Sequence, residues 1–246
     1  MRRKLAALFS LAPLLIALPM FAQSTATTEN PSFRVVLDPN QQTKLSAEIR
    51  SPVKKITKKM GDSFKKGEVL IQLEDAVFQA DLQESEAVLE QAEVELEGKK
   101  QLFNDKVLSL FDLKKAESDL AAAKAKLALS KKNVAATQVI APYNGKVVDF
   151  MIHEHELTEV GREMTEIVED KTLVAKMLIP TSELQTLKIG QPITITLDES
   201  GDTIDTTVTR IGAIIDAGSS TIPVESDIDN SEGKYIAGSR GKAVFQ

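Results

Sequence analysis

The sequence predicts a mixed fold, in which two long antiparallel helices interrupt a small β-sandwich and a β-barrel follows. Three observations predict it. A helix-rich segment between residues 75 and 136 separates two runs of short strands. The strand segments on either side of this helical segment share one repeated pattern. From residue 172 onward, Thr, Val and Ile are abundant and glycines punctuate the chain, which is typical of a small antiparallel barrel.

The composition excludes several classes of function. The 246 residues carry a net charge of −6 and include no Cys, no Trp and only two His. A disulfide framework, thiol catalysis and a zinc ribbon are therefore excluded, and a basic or aromatic nucleic-acid surface is poorly supplied. Glycine-rich phosphate loops and nucleophile elbows are also missing from the sequence. We expect no catalytic residues, no cofactor and no nucleic-acid partner.

The first segment predicts export. Three basic residues at positions 2–4 precede an almost wholly apolar run, Leu5–Phe21, and Ala22 or Ala26 could precede a cleavage site. This pattern is typical of a secretory signal and is short for a membrane span. Residues 1–22 are therefore interpreted as a signal peptide, with an uncleaved N-terminal anchor as the alternative.

Short strands follow the signal. Residues 23–44 are interpreted as a polar linker and an N-terminal strand, Phe33–Leu37, which ends at a Pro39-Asn40 turn. Residues 45–74 predict further strands, of which Val69–Leu73 is the most compact and apolar.

Residues 75–136 predict an antiparallel helical hairpin. Ala, Leu, Glu and Lys dominate this segment, and it contains no Pro, as expected of strong helix formers. Mostly apolar and small residues recur at alternating spacings of three and four, the period of a coiled-coil seam. On the first arm this seam comprises Phe78, Leu82, Ser85, Leu89, Ala92, Leu96, Lys99 and Phe103. On the second arm it comprises Leu113, Ala116, Leu120, Ala123, Leu127, Ser130 and Val134.

The two arms are joined by a turn and carry opposite charges. Asn104–Ser109 favours a turn, and Ser109 is placed to cap the second helix. The first arm is acidic from Asp75 to Glu97, with no Lys or Arg, whereas the return arm carries six lysines. Opposite charges favour docking of the arms on each other. Four seam residues are expected to be largely buried between the arms: Leu89, Leu96, Leu120 and Leu127.

Residues 137–171 and 172–246 return to strands. In the first of these segments an Asn144-Gly145 turn precedes the strand Lys146–Ile152. In the second, glycines separate five strand candidates, and Thr181–Leu187 could form a short helical turn. The five strand candidates are Leu173–Ile179, Ile193–Leu197, Thr203–Ile215, Thr221–Ile228 and Lys242–Phe245.

The segments flanking the hairpin repeat one pattern. Each begins with a small residue and Pro, at Ser51-Pro52 and at Ala141-Pro142, and each ends in an apolar strand followed by Glu-Asp. Two half-motifs that each leave an apolar face uncovered can pack together as one sandwich, despite the hairpin between them. Six residues are expected to share its core: Ile56, Val69, Leu73, Val139, Val147 and Ile167.

This order of segments resembles the periplasmic adaptor subunits of bacterial efflux pumps, also called membrane fusion proteins or the HlyD-like family. Residues 141–148 (APYNGKVV) resemble a family signature after the second helix, and residues 65–70 (KKGEVL) resemble one before the first. Residues 190–193 (GQPI) resemble a step in the barrel. The resemblance covers residues 45–246 and implies an elongated, modular fold: a split lipoyl-like β-sandwich, an inserted α-helical coiled-coil hairpin and a β-barrel domain.

The resemblance also implies a function. An adaptor of this family links an inner-membrane transporter, here expected to be of the RND type, to an outer-membrane channel of the TolC type, and supports transmembrane transport from the periplasm. Copies are expected to form a homo-oligomeric ring, held at the membrane by their partners or by an N-terminal anchor. Two alternatives remain: an exported binding or signalling module with the same fold, and an adaptor of an ATP-driven exporter. Family members usually continue into a membrane-proximal domain past the barrel, which the 246 residues do not include.

The hairpin tip is the candidate partner-binding site. Apolar residues, Phe111 among them, cluster at a turn that should face solvent, which marks a contact surface. Many relatives carry an Arg at the position of Gly98 and a Leu and a Ser where this chain has Leu102 and Ser109. The predicted partner-binding residues are Leu102, Phe103, Val107, Leu108, Ser109 and Leu110.

Two other sites are weighed and not favoured. A lipoyl-type Lys needs an exposed hairpin turn between the half-motifs, and the helical segment occupies that place. His153 and His155 would share one face of a strand and could hold a metal ion, but no further His or Cys exists to complete the site. We expect neither a covalent cofactor nor a metal.

Overall fold

The computed structural model describes residues 31–246, and the predicted signal peptide lies outside the described residues. The helices are α1 (Ala76–Asn104) and α2 (Leu110–Ala135), with a short 3₁₀ helix at Thr181–Glu183. The first eight strands are β1 (Ser32–Ser46), β2 (Ser51–Ile56), β3 (Ser63–Phe64), β4 (Val69–Leu73), β5 (Gln138–Ile140), β6 (Gly145–Phe150), β7 (Leu157–Thr158) and β8 (Glu163–Pro180). The remaining strands are β9 (Pro192–Leu197), β10 (Thr203–Thr207), β11 (Arg210–Ile211), β12 (Thr221–Asp229) and β13 (Arg240–Phe245).

Helices α1 and α2 pack against each other along the predicted seam. In α1 every seam residue is buried or half-buried, and every other residue of the helix is exposed. In α2 the seven seam residues are also buried or half-buried. Leu96, Leu113 and Ala116 form the centre of an apolar cluster. Of the four leucines expected to be largely buried, Leu96 is 6% exposed and the other three are half-buried. The expectation was too strong because a two-helix pair covers each seam residue from one side only.

Polar side-chain contacts between the two arms are few among the described residues. The buried hydroxyl oxygens of Ser85 and Ser130 lie 2.7 Å apart and share a hydrogen bond. Among the described residues, the ion pair between Glu84 and Lys126, at 2.9 Å, joins the two arms. The remaining charges of both arms mostly face solvent, so the apolar seam, and not the opposite charge of the arms, holds the helices together.

One apolar core lies beside the base of the hairpin. It is enclosed by a four-stranded sheet, in the order β5-β4-β2-β7, and by β3, β6 and the first part of β8. Five of the six residues predicted to share this core lie in it or pack against it. Val69 is the exception, because the β4–β5 pairing shifts register between Val69 and Ile71. The shift leaves Leu70, Ile71 and Leu73 as the buried residues of β4.

A second core lies on the sheet formed by β1, β8 and the strands of the last third of the chain. Its strands follow the order β10-β9-β13-β1-β8-β12-β11. The Thr206 hydroxyl of β10 lies 3.0 Å from the Ser226 hydroxyl of β12, so the sheet curls back on itself. The predicted strand Thr203–Ile215 was wrong: it is divided into β10 and β11, because the intervening Val208 N–H donates to Gln191 O instead of continuing a strand pair.

Strands β1 and β8 belong to both cores. The predicted turn at Pro39-Asn40 was wrong, since β1 runs continuously from Ser32 to Ser46 and pairs with β8 from Val35 to Ser46. Its first part contributes Val35 and Leu37 to the second core, and Leu45 packs against the first. The predicted boundaries at 44/45 and 171/172 thus fall inside β1 and β8.

An irregularity in the β1–β8 pairing marks the junction between the cores. Pro39 pairs with Leu173, and the next paired position is Gln41 with Glu169. Three residues of β8, at positions 170–172, therefore face the single residue Asn40. We call this irregularity the junction bulge. A proline fits there, because a bulge leaves main-chain groups outside the regular ladder.

Polar contacts hold the junction bulge. The Asp170 carboxylate lies 2.8 Å from Lys146 Nζ of β6. Asn230, which is 2% exposed, donates from Nδ2 to the Asp170 carbonyl at 2.8 Å and to the Tyr235 carbonyl at 2.9 Å. The bulge is thus bonded to β6 and to the residue that directly follows β12.

Candidate functional site

Helix α1 ends in a tight backbone turn. The Lys106 N–H donates to Phe103 O at 2.9 Å, and the Val107 N–H donates to Leu102 O at 2.9 Å. These two bonds form a Schellman motif, which satisfies carbonyls that the helix end would otherwise leave free. The motif requires a left-handed residue, and Lys106 takes that role with φ of 61°.

Ser109 begins helix α2, as the sequence predicts. Its hydroxyl accepts from the Asp112 N–H at 3.2 Å and donates to the Asp112 carboxylate at 2.6 Å. The Asp112 carboxylate also lies in the first turn of α2, where the helix dipole favours negative charge. Ser109 therefore fixes the direction in which α2 leaves the turn.

The turn exposes an apolar patch. Val107 is 74% exposed, Phe111 76%, Leu110 58% and Leu102 45%. We call these four residues the tip patch. Contact of these apolar side chains with water is unfavourable in the unbound protein, and an exposed apolar cluster of this kind is typical of a contact surface.

The other predicted site residues have structural roles in the turn. Phe103 and Leu108 are half-buried and pack against the apolar cluster between the arms, and the Ser109 hydroxyl is engaged in the cap. The predicted set omitted Phe111, the most exposed member of the tip patch. Phe111 nevertheless belongs to the apolar cluster that the sequence predicts at this turn.

An ion pair lies close to the tip patch. Lys99 Nζ donates to Glu95 Oε1 at 2.6 Å. This hydrogen bond lowers the pKa of Glu95 and raises the pKa of Lys99, so both groups are charged at neutral pH. Lys99 is part of the seam, and its ammonium group is engaged. It does not replace an arginine at the neighbouring position 98, where Gly98 leaves open space.

Sequence comparison finds two distant relatives, and no family model matches the chain. An uncharacterized protein of Haemophilus influenzae is 26% identical over 202 residues, which cover 81% of this chain and 53% of that protein. The nodulation protein NolF of Rhizobium meliloti is 23% identical over 217 residues, covering 82% of this chain and 59% of NolF. The chain thus spans between half and three fifths of the length of these relatives.

Solved structures show a closer likeness in fold. A chimera of MacA with the α-hairpin domain of Pseudomonas aeruginosa MexA superposes with a TM-score of 0.78 at 17% identity, over 89% of this chain and 79% of the chimera. The membrane fusion protein Spr0693 of Streptococcus pneumoniae gives 0.71 at 17% identity, over 88% of this chain and 98% of Spr0693. The chain has the fold of a membrane fusion protein.

The two histidines of this membrane fusion fold lie in a loop and not on a strand. The His153 side chain is 91% exposed, and His155 adopts a left-handed conformation with φ of 67°. Glu156 accepts a hydrogen bond from the His153 N–H, and this bond together with Arg162 lowers the pKa of Glu156. Across residues 31–246, no cluster of three His, Cys, Asp or Glu could hold a metal ion.

Two further properties of the membrane fusion fold bear on its role. Within residues 31–246, neither α1 nor α2 has an apolar stretch long enough to span a membrane. The hairpin occupies the connection between β4 and β5, where the Leu73 N–H donates to Thr137 O at 2.8 Å. The helices therefore leave the β-structure side by side, with the tip patch at their far end.

Proposed function

We propose that this protein is a periplasmic adaptor that links an inner-membrane efflux transporter to an outer-membrane channel, without catalysing a reaction. The transporter is of the RND type and the channel of the TolC type. The observation that carries the proposal is the tip patch, an exposed apolar surface at the end of a hairpin on a membrane fusion fold. The export signal predicted at residues 1–22 supports a periplasmic location.

The hairpin suits a bridging role. Helix α1 has 29 residues, so at 1.5 Å per residue the tip patch stands about 40 Å from the β-structure. Docking would bury the tip patch, and each large apolar side chain removed from water contributes about 1.5–3 kcal/mol. A ring of several copies presents several patches to one channel, which multiplies the effect of a weak single contact.

The proposal is tested by drug susceptibility in a strain that lacks the native copy. Val107→Asp and Phe111→Asp place a charge in the tip patch without removing a hydrogen bond, and each should abolish complementation. Val77→Asp is the matched control, since Val77 is 70% exposed at the opposite end of α1. Its resistance should equal that of the wild type at equal protein level.

Cross-linking from position 107, followed by identification of the captured membrane proteins, distinguishes the alternatives. Capture of a TolC-type channel supports the adaptor role, and co-purification of an ATP-driven exporter would replace the RND assignment. Full resistance in both tip variants, or no susceptibility on deletion against a broad panel of compounds, would instead favour an exported binding module.

A further inference from the structure

A pocket of about 600 Å³ opens beside the junction bulge. Three chain segments line it: β3 with the turn that follows it, residues 144–146 at the start of β6, and the bulged part of β8. The lining residues are Ser63, Phe64, Lys65, Glu68, Asn144, Gly145, Lys146, Asp170 and Lys171. The pocket is remote from the tip patch, since it lies on the β-structure and the patch lies at the far end of the hairpin.

The two carboxylates of the pocket are already bonded. Glu68 accepts from Lys58 Nζ at 2.6 Å and from the Lys65 N–H at 3.0 Å, and these two bonds lower its pKa. Asp170 is paired with Lys146 Nζ at 2.8 Å. The charge of each carboxylate is therefore matched by a lysine, Lys58 for Glu68 and Lys146 for Asp170.

The hydrogen-bond donors of the pocket have fewer partners than its carboxylates. Asn144 Oδ1 accepts from the Lys66 N–H at 2.8 Å, whereas its Nδ2 makes no hydrogen bond within residues 31–246. The Lys171 ammonium donates to the neutral Ser231 carbonyl at 2.6 Å. In the described part of the chain, neither Lys65 nor Lys171 forms an ion pair through its ammonium group. The acceptors of this pocket are thus satisfied while three of its donor groups, two of them charged, retain bonding capacity.

We propose that this pocket binds an organic oxyanion, with a phosphate or carboxylate head group held by Lys65, Lys171 and the Asn144 amide. Two lysines and one amide match the several acceptor lone pairs of such a head group. The pocket is much larger than an oxyanion alone. In the proposed complex, the hydrocarbon body of the ligand packs on Phe64 and on the methylenes of the lysines that line the pocket.

The test uses n-hexyl phosphate as the probe, in calorimetric titration of the purified protein. We expect saturable binding that weakens as salt rises, because the charges are exposed. The uncharged analogue n-hexanol should not bind. Lys65→Gln and Lys171→Gln should each weaken binding roughly 1.5-fold to fivefold, the range expected for one exposed charged contact.

The control variant is Lys124→Gln, which removes an exposed lysine of α2 and should leave binding unchanged. Melting temperatures of all three variants establish that they are folded. Wild-type affinity in both pocket variants, equal loss in the control variant, or no binding of hexyl phosphate and of anionic vesicles would overturn the proposal.

A second arm identifies the source of the anion. Vesicles of phosphatidylglycerol are compared with vesicles of phosphatidylcholine in co-sedimentation. Loss of phosphatidylglycerol binding in the Lys65→Gln and Lys171→Gln variants assigns the pocket to a lipid head group. Binding of hexyl phosphate without binding of vesicles assigns it to a soluble anion. Either result is independent of pump activity, so it stands apart from the test of the adaptor role.

Discussion

At the residue scale, the hairpin turn depends on a left-handed residue that is not glycine. Lys106 adopts φ of 61° so that the Schellman bonds at the end of α1 can form. A residue with a Cβ atom pays about 1 kcal/mol in this conformation. The Asn104-Asp105 pair predicted a turn here, and Ser109 predicted the start of α2. Nothing in the sequence indicated that a lysine would take the left-handed position, because the usual glycine signal is missing.

We expect Lys106→Gly to stabilise the hairpin by a few tenths to about 1 kcal/mol, since relief of strain outweighs the added freedom of the unfolded chain. The measurement is urea unfolding followed by far-UV circular dichroism. Lys100→Gly is the matched control, because it places glycine in the helical interior of α1 and should destabilise by about 1 kcal/mol. A destabilised Lys106→Gly protein would contradict the assigned turn geometry.

At the element scale, the helices could be predicted more fully than the strands. The heptad spacing depends only on local sequence, and in α1 the seam residues are those that the helix withdraws from solvent. The continuity of β1 could not be predicted. Pro39 and Asn40 are turn-forming locally, but pairing with β8, more than a hundred residues away, holds them in a strand. Long-range pairing overrides local propensity in such cases.

In the candidate site, too, some features could be predicted from local sequence and others could not. Its apolar character and the Ser109 cap could be predicted from sequence. The seam spacing predicted the inward orientation of Phe103. The inward orientation of Leu108 could not be predicted, because it depends on how the chain turns back onto the seam after α1.

Leu96→Asp should destabilise the hairpin by at least about 3 kcal/mol, because it removes a buried apolar side chain and places a charge in the seam. Loss of ellipticity at lower temperature than in the wild type is the expected result. Val94→Asp serves as the control, since Val94 is 69% exposed two residues away. If the two variants melt together, the seam is not the stabilising contact.

At the scale of the whole described unit, the hairpin is an insertion between adjacent strands. Because β4 pairs with β5 and Leu73 is bonded to Thr137, the two ends of the hairpin lie side by side. Both apolar cores of the β-structure are built without helical residues.

Replacement of residues 78–134 by a short glycine linker should therefore leave a folded β-structure with a cooperative unfolding transition. Thermal unfolding followed by circular dichroism and by amide dispersion in NMR tests this expectation. Adding Met164→Asp to the shortened chain is the control, since Met164 is fully buried in the first core. A shortened chain that unfolds as gradually as this control would show that the helices are needed for the β-fold.

The junction bulge also restricts how the chain can change in length during evolution. Between the pairs Pro39–Leu173 and Gln41–Glu169, β8 has three residues and β1 has one, a difference of two. Because side chains alternate between the faces of a strand, an even difference keeps Leu173 and Met177 directed into the second core. One added or deleted residue at the bulge would direct them outward, whereas two would preserve the alternation. Homologous chains should therefore differ in length at this point by pairs of residues, and single-residue gaps should be selected against.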